Sequence, residues 1–211
     1  MKIEIWSDIM CPFCYIGKRQ LEKALGEFPN DEFEIEWKSF QLDPSITPQD
    51  GKDVYTFLAE HKGISLEQSK DMHKGVVERA KSVGLDYHFD KAIISNSLKS
   101  HRIIQLAKTK KAGNQMEEIF FKAYFTEGRD LNDASTLIEL GIQAGLDADE
   151  IQKVVENEEI YLNNVKSDIS EAKEIGVQGV PFFVFDRKYA ISGAQSLETF
   201  VQTITEVRNK K

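Results

Sequence analysis

The start of the chain shows two alternating patterns separated by a helical one. Residues 2–6 alternate polar and apolar positions, with Ile3 and Ile5 on one side, as in a short β-strand. A stripe with helical spacing follows, formed by Leu21, Ala24, Leu25 and Phe28. Alternation returns over residues 33–37, a second strand with one polar side. The chain therefore opens as strand, helix, strand, an order that normally makes the two strands parallel.

The middle of the chain, from residue 42 to about residue 176, has a different pattern. A turn-rich stretch over residues 42–51 leads into segments whose apolar residues recur with a helical period. Ser65 and Gln68 have the spacing of a capping box at the start of one helix. Another stripe comprises Met116, Ile119, Phe120, Ala123 and Tyr124. We expect these stripes to pack as a helical bundle rather than to bind a cofactor.

Strand patterns return after Gly176. Residues 180–185 form an apolar run, 186–188 a polar turn, 189–191 a second short strand and 196–208 a closing helix. The two ends together would make one small α/β unit. We therefore predict an α/β fold interrupted by a large all-helical insertion. The predicted boundaries are 1–41 and 166–211 for the two parts of the α/β unit and 42–165 for the insertion.

Composition and charge exclude several classes of protein. The chain has 211 residues, of which 41% are hydrophobic and 29% charged, the balance of a soluble globular protein. Its 27 basic and 35 acidic residues give a net charge of −8. Such a surface repels phosphate backbones and anionic lipids, so we expect neither nucleic acid nor a membrane as partner. The apolar run at 180–185 is far too short to span a bilayer.

Cysteine usage narrows the chemistry. Charged residues interrupt the N-terminus at once, which argues against a secretory signal and predicts a cytoplasmic protein. In that reducing compartment a purely structural disulfide is not expected. The two cysteines, Cys11 and Cys14, would in any case close only a very small loop. We therefore expect them to serve redox chemistry or metal binding.

The place of the C-x-x-C motif, between a strand and a helix, favours redox chemistry. Cys11 would precede the first helical turn, with Pro12 at an early position where no N–H is needed. Unpaired N–H groups and the helix dipole stabilise a thiolate there, so Cys11 is predicted to be an exposed nucleophile. Cys14, one turn later, is predicted to be more buried and to resolve the mixed disulfide.

A zinc site is the rival interpretation of the same motif. Structural zinc usually takes four ligands, whereas this chain has two thiols. The histidines lack the short spacing that accompanies a C-x-x-C zinc motif; they are His61, His73, His88 and His101. We therefore predict no metal site.

Pro181 is the second informative position. A proline is tolerated where an edge strand begins. Alternatively, a cis Val180–Pro181 bond would turn the backbone of Val180 towards the thiols, where it could pair with an extended substrate segment. The pattern of residues leaves both interpretations open.

Six segments are jointly more specific than the C-x-x-C motif. They are 7–18 (SDIMCPFCYIGK), 40–44 (FQLDP), Asn96 with 100–102 (SHR), 123–128 (AYFTEG), 179–184 (GVPFFV) and 192–195 (SGAQ). Through them nearly the whole chain resembles the DsbA-like branch of the thioredoxin superfamily, and within it the FrnE-type subgroup. The resemblance implies a thioredoxin fold with a helical insertion, thiol-disulfide oxidoreductase activity through Cys11 and Cys14, and a cis Pro181 beside them.

Two departures from the relatives qualify this resemblance. Proteins of the DsbA type commonly have histidine as the second residue between the cysteines, where this chain has Phe13. A cationic donor is therefore missing, and extreme oxidising power is not implied. The related kappa-class glutathione transferases and hydroxychromene carboxylate isomerases usually have serine at the first cysteine position. The presence of Cys11 thus favours redox chemistry over isomerisation.

We predict a thiol-disulfide oxidoreductase that exchanges disulfides with protein or small thiol substrates through Cys11 and Cys14. The surrounding shell would comprise Pro12, Phe13, Val180 and Pro181. The enzyme would need no bound cofactor, with glutathione as a candidate reductant or co-substrate. The alternatives are a glutathione-dependent isomerase or transferase acting on a small aromatic substrate, and a holdase-type binding module.

We predict no catalytic role for three other polar residues. Asp8 follows a strand and is expected to be an exposed turn residue. His101 is expected to be a packed or surface histidine, and Asn96 a helix cap.

Overall fold

The computed structural model describes residues 1–47 and 51–210. The strands are β1 (Lys2–Ser7), β2 (Glu34–Ser39), β3 (Phe182–Phe185) and β4 (Tyr189–Ser192). The helices are α1 (Pro12–Gly26), α2 (Val54–Lys62), α3 (Leu66–Ser82), α4 (Leu98–Thr109), α5 (Gly113–Lys122), α6 (Ala134–Gln143), α7 (Ala148–Glu156), α8 (Leu162–Glu174) and α9 (Leu197–Asn209). A short π-helix, Ala123–Glu127, follows α5. Residues 48–50 of the predicted turn-rich stretch lie outside the described residues.

The strands form one sheet in the order β2-β1-β3-β4. β1 and β2 are parallel, with Ile3 opposite Ile35 and Ile5 opposite Trp37, as the strand–helix–strand order predicted. β3 runs antiparallel to both β1 and β4. The two ends of the chain therefore share one sheet, and the helices from α2 to α7 are inserted between them. The predicted α/β fold with a helical insertion is confirmed.

Helices cover both faces of β1. Ile3 and Ile5 belong to the main core, which also contains residues of α1 and α9. Trp6 points the other way, because successive strand residues alternate between faces. It packs against Ala172 of α8, and its Nε1 donates a hydrogen bond to the Asp168 carbonyl at 2.9 Å. The boundary predicted between residues 165 and 166 lies within α8 and remains a prediction.

Helix α1 begins where its sequence predicts, and a glycine brings it close to the sheet. Cys11 is its N-cap and Pro12 occupies the first turn. At Gly17, a Cβ atom would lie 3.0 Å from both Phe183 Cζ and Pro181 Cγ. The missing side chain therefore lets the cysteine-bearing end of α1 approach the segment that precedes β3.

The insertion contains one predicted cap and one departure from the predicted pattern. The capping box of α3 is present: Ser65 Oγ accepts from the Gln68 N–H at 3.1 Å, and Gln68 Oε1 accepts from the Ser65 N–H at 2.9 Å. The stripe predicted as one helix changes period at Ala123, where α5 continues as the π-helix. The π-helix ends at Gly128, which has a φ of +68°.

Gly128→Ala is expected to lower the free energy of unfolding by about 2–4 kcal/mol, because a left-handed backbone and a steric clash act together. The new Cβ would lie 2.7 Å from the Lys91 carbonyl oxygen. Gly145→Ala is the matched control, since its φ is +82° but no atom lies within 4 Å of an added Cβ. That control should lose only about 1–2 kcal/mol. Urea unfolding of both variants measures the difference, and equal losses would contradict the clash.

Candidate active site

Cys11 and Cys14 are free thiols held on one helical turn. The Cys11 N–H donates to the Asp8 carbonyl at 2.9 Å, and the Cys14 N–H donates to the Cys11 carbonyl at 3.0 Å. Cys14 is fully buried, as predicted. The prediction of an exposed Cys11 is wrong, since this residue is only 4% exposed. The reason is that the inserted helices pack beside the N-terminus of α1, so that Cys11 lies in the wall of a cleft that is open on one side.

The backbone of Val180 lies against the first thiol. The Cys11 Sγ–H donates to the Val180 carbonyl oxygen across 3.5 Å. The Val180–Pro181 peptide bond is cis. The edge-strand interpretation of Pro181 is wrong, because β3 lies between β1 and β4. The predicted arrangement, in which the backbone of Val180 turns towards the cysteines, is the one found.

The electrostatic environment separates the two thiols. Burial raises the pKa of Cys14 well above its ordinary value, and the neighbouring Cys11 sulfur raises it further. The backbone of Asp8 and the side chain of Ser7 favour the Cys14 thiolate but oppose this shift only in part. Cys14 is therefore held as a neutral thiol while Cys11 is reduced.

Pro12 and Phe13, between the cysteines, are held by the inserted segment. The Tyr87 hydroxyl donates to the Pro12 carbonyl at 2.7 Å. The guanidinium carbon of Arg79, from α3, lies 5.5 Å from the centre of the Phe13 ring, and Arg79 also donates to the Ala194 carbonyl. A guanidinium cation thus lies over the ring of Phe13, the position at which the resemblance implied that a cationic donor is missing. No local motif indicates this contact.

Asp8 is buried, with 2% of its surface exposed, so the prediction of an exposed turn residue is wrong. Its Oδ2 accepts from the Leu42 N–H at 2.8 Å and its Oδ1 from the Met10 N–H at 3.2 Å. His101 is buried as well, and its Nε2 lies 3.6 Å from Asp8 Oδ1. The segment after β2 covers the end of β1, which a single strand pattern does not reveal. The N-cap of α4 is Ser97 rather than the predicted Asn96, which lies one residue earlier and accepts from the Leu98 N–H at 2.9 Å.

Glu117 of α5 was not identified from the sequence. It is fully buried, and its Oε2 has no hydrogen-bond partner among the described residues. Burial raises the pKa of Glu117 to about 8; the charge of Asp8 adds to the shift, whereas Lys18 and Lys108 oppose it. The helical period places residue 117 on the buried face of α5, so a periodicity analysis weighted to that face would have found it.

Cys11 lines a cavity of about 520 Å³ between the α/β unit and the helical insertion. The end of α1, the segment at 179–180, α2, α3 and the π-helix all contribute residues to its walls. The larger apolar side chains of these walls include Phe13, Val54, Phe57, Val76, Phe89 and Phe125. The cavity thus places the Cys11 thiol in predominantly apolar surroundings.

The described residues contain neither a candidate metal cluster nor a membrane-spanning helix. In residues 1–47 and 51–210, no cluster of three or more His, Cys, Asp or Glu side chains has an arrangement that could hold a metal ion. Within the same ranges, no helix combines the length and apolar character needed to cross a bilayer.

The chain is similar to known proteins over almost its full length. A Streptomyces coelicolor protein described as a probable DsbA oxidoreductase is 38% identical, with a TM-score of 0.94 over 100% of this chain and 91% of that one. The Bacillus subtilis protein YwbO is 25% identical over 99% of this chain and 98% of its own. The cytosolic disulfide reductase DsbM from Pseudomonas aeruginosa shares the fold, with a TM-score of 0.69, 16% identity and coverage of 99% of both chains.

The match to a family model extends over residues 2–205, which include the cysteine pair, the whole insertion and the Val180–Pro181 segment. The resemblance to DsbA-like proteins is thereby confirmed, while the FrnE-type subgroup stays a prediction. The chain belongs to the family of proteins with a DSBA-like thioredoxin domain.

Proposed function

We propose that the protein is a thiol-disulfide oxidoreductase in which Cys11 attacks a substrate disulfide and Cys14 resolves the intermediate. One observation carries the proposal. Cys11 lies at the N-terminus of α1, in contact with the Val180 carbonyl at 3.5 Å, and lines the cavity beside it. A nucleophile, an adjacent resolving thiol and space for a substrate thus meet at one point.

The first step is attack by the Cys11 sulfur on a disulfide. The helix N-terminus stabilises negative charge on this sulfur through its N–H groups and dipole. Burial holds Cys14 as a neutral thiol, so Cys11 is the thiol of the pair available for this attack. A bond forms between Cys11 and one substrate sulfur, and the other substrate sulfur leaves as a thiolate.

The second step is attack by Cys14 on the Cys11 sulfur. The charge of the Cys11 sulfur contributes to the raised pKa of Cys14. Once Cys11 is part of a mixed disulfide, that charge is gone and Cys14 loses its proton more readily. The second substrate thiol then leaves, and the pair is oxidised to a disulfide. Val180 and Pro181 would orient the substrate beside Cys11.

The relatives support this proposal. The Pseudomonas protein is a disulfide reductase, and it has also been solved with GSH. We include glutathione as a candidate reductant and a cytoplasmic location in the proposal. The physiological direction depends on the reduction potential of the pair, for which about 30 mV corresponds to about 1.4 kcal/mol.

Cys14→Ser is expected to trap the reaction after its first step. The variant, mixed with a disulfide, should release one equivalent of thiol and retain the other half of the substrate on Cys11, because the resolving sulfur is absent. Intact-protein mass spectrometry measures the adduct. The wild-type protein should instead release both substrate thiols and lose the mass of two hydrogen atoms.

The same variant separates this function from its alternatives. Catalysed reduction of insulin by dithiothreitol should fall to a small residual rate in Cys14→Ser. A glutathione-dependent isomerase would keep its turnover in that variant, and a holdase would suppress aggregation equally well without either thiol. Failure of the wild-type pair to form a disulfide would refute the proposed function.

A further inference from the structure

The nucleophile is more enclosed than exchange with a folded protein requires. Cys11 is only 4% exposed, and it lines a cavity with walls that include residues of α2 and α3. This cavity is a cleft open on one side, and a disulfide within a folded domain, which is attached to protein on both sides, must pass α2 and α3 to reach Cys11. The cavity volume, about 520 Å³, is within the range of about 300–1,000 Å³ typical of small-molecule sites.

The walls of this cavity suit an apolar, flat ligand. Rings of Phe13, Phe57, Phe89 and Phe125 line it together with aliphatic side chains. Aromatic walls favour aromatic ligands, since offset and edge-to-face ring contacts add to the effect of area burial. The rings of Phe89 and Phe125 already make such an edge contact, with centroids 6.0 Å apart.

The charges of the cavity oppose an anionic ligand. Asp8 and Asp43 both line it, and hydrogen bonds from Ser45 lower the pKa of Asp43. His61, also a lining residue, has its Nε2 3.5 Å from Asp43 Oδ2, and its ring carries a positive charge only when it is protonated. Of the described lining residues, only Lys62 adds a permanent positive charge.

For the remaining lining histidine, His73, burial favours the neutral ring. His73 Nδ1 lies 2.8 Å from the Ser69 carbonyl oxygen, which can only accept, so Nδ1 carries the proton. Burial lowers the pKa of His73, and the ring makes edge contacts with Tyr55 and Phe89. A ligand with carboxylates would therefore meet more negative than positive charge in this cavity.

We propose that the substrates of this cavity are low-molecular-weight disulfides with uncharged, apolar substituents, aryl groups above all. This inference rests on the function proposed above and specifies its substrate class. One substituent would occupy the space between the phenylalanine rings while its sulfur meets Cys11. Polar, anionic disulfides would be poorer substrates at the same site.

The reaction balances with a dithiol as reductant. The two electrons that reduce the substrate disulfide to two thiols come from the pair, which becomes the Cys11–Cys14 disulfide. Dithiothreitol then reduces this disulfide and is itself oxidised to its cyclic form.

The test compares two chromogenic aryl disulfides of different charge. Reduced protein is mixed with neutral dithiodipyridine or with dianionic dithiobis(nitrobenzoate), and each rate is divided by that of free N-acetylcysteine with the same reagent. The normalised rate for the neutral reagent should exceed that for the anionic reagent by at least about tenfold, because like charges are brought together only in the second case. The rate with dithiodipyridine should also saturate as the concentration of this reagent rises, as expected when binding precedes reaction.

Met72→Trp tests the place of binding. Met72 lines the cavity but is 46% exposed, so an indole there can narrow the space without entering the core. The variant should lower the normalised rate for dithiodipyridine several-fold. Ile142→Trp is the matched control, because Ile142 of α6 is 50% exposed and does not line the cavity; it should change neither rate.

The outcomes distinguish this inference from the function on which it rests. If the Cys11–Cys14 disulfide forms but the two normalised rates are equal, or Met72→Trp behaves like Ile142→Trp, the substrate class is wrong and the function stands. The proposed substrate class would also be overturned if the rate with insulin, divided by that of N-acetylcysteine, exceeded the same ratio for dithiodipyridine. The substrates would then be polypeptides. If neither reagent yields the Cys11–Cys14 disulfide, the proposed function itself fails.

Discussion

Cys11→Ser is expected to abolish disulfide exchange, leaving only the uncatalysed rate. A serine hydroxyl is not ionised near neutral pH and cannot form the mixed disulfide, and Cys14 is no substitute. Cys14 is fully buried, and burial holds its pKa well above the ordinary value for a thiol. The measurement is the initial rate at which the reduced protein consumes dithiodipyridine, compared between the wild type and the variant.

The outcome that would contradict this role is substantial activity in Cys11→Ser. Fold integrity must be checked in parallel, because Cys11 is also the N-cap of α1. Serine is itself a favourable N-cap residue, so the variant should unfold at a urea concentration similar to that of the wild type. A loss of activity without a loss of stability would then be caused by the removal of the Cys11 sulfur atom. Cys14→Ser, which keeps the first attack, supplies the kinetic contrast.

Glu117→Gln is expected to change the free energy of unfolding more favourably at pH 8 than at pH 5, by about 3–5 kcal/mol. Each pH unit between the pKa of Glu117 in the unfolded chain and its pKa in the folded protein is worth about 1.4 kcal/mol. Burial raises the pKa of Glu117 from 4.5 to about 8 in the folded protein. Urea unfolding followed by tryptophan fluorescence at both pH values measures the effect.

The sign follows from where the proton is bound. Below pH 4.5 Glu117 is protonated in both the folded and the unfolded chain and costs nothing extra. As the pH rises from 4.5 towards about 8, the unfolded chain loses this proton while the folded protein keeps it. The wild type therefore loses stability over that interval, whereas the glutamine variant has no such proton to lose. Above about pH 8 the difference is constant.

Glu118→Gln is the matched control on the same helix. Its carboxylate accepts hydrogen bonds from Arg19, Lys18 and Tyr15, and these partners lower its pKa to about 2 despite partial burial. Glu118 is thus ionised in both states throughout pH 5–8. Its replacement should destabilise the protein by the same amount at both pH values. A pH-independent difference between wild type and Glu117→Gln would show that Glu117 is not protonated in the folded state.

The features that the sequence predicted correctly depend on neighbouring residues. Alternation identifies β1 and β2, and the order of elements around α1 makes them parallel. Pro12 marks the start of α1, and the cysteine spacing puts both thiols on one turn. Each of these patterns repeats within a helical turn or a few strand residues, which is the range over which backbone geometry acts.

What the tertiary structure alone decided is how the site is enclosed and charged. The expected exposed Cys11 is buried, since helices far along the chain cover it. Arg79 reaches Phe13 from α3, and Asp8 and Glu117 are buried by segments distant in sequence. Burial and electrostatic energy depend on which surfaces meet after folding, and no local period records that. The sequence by itself therefore determined the fold class and singled out the two cysteines, while packing of distant segments decided how deeply each thiol is buried and what can reach it.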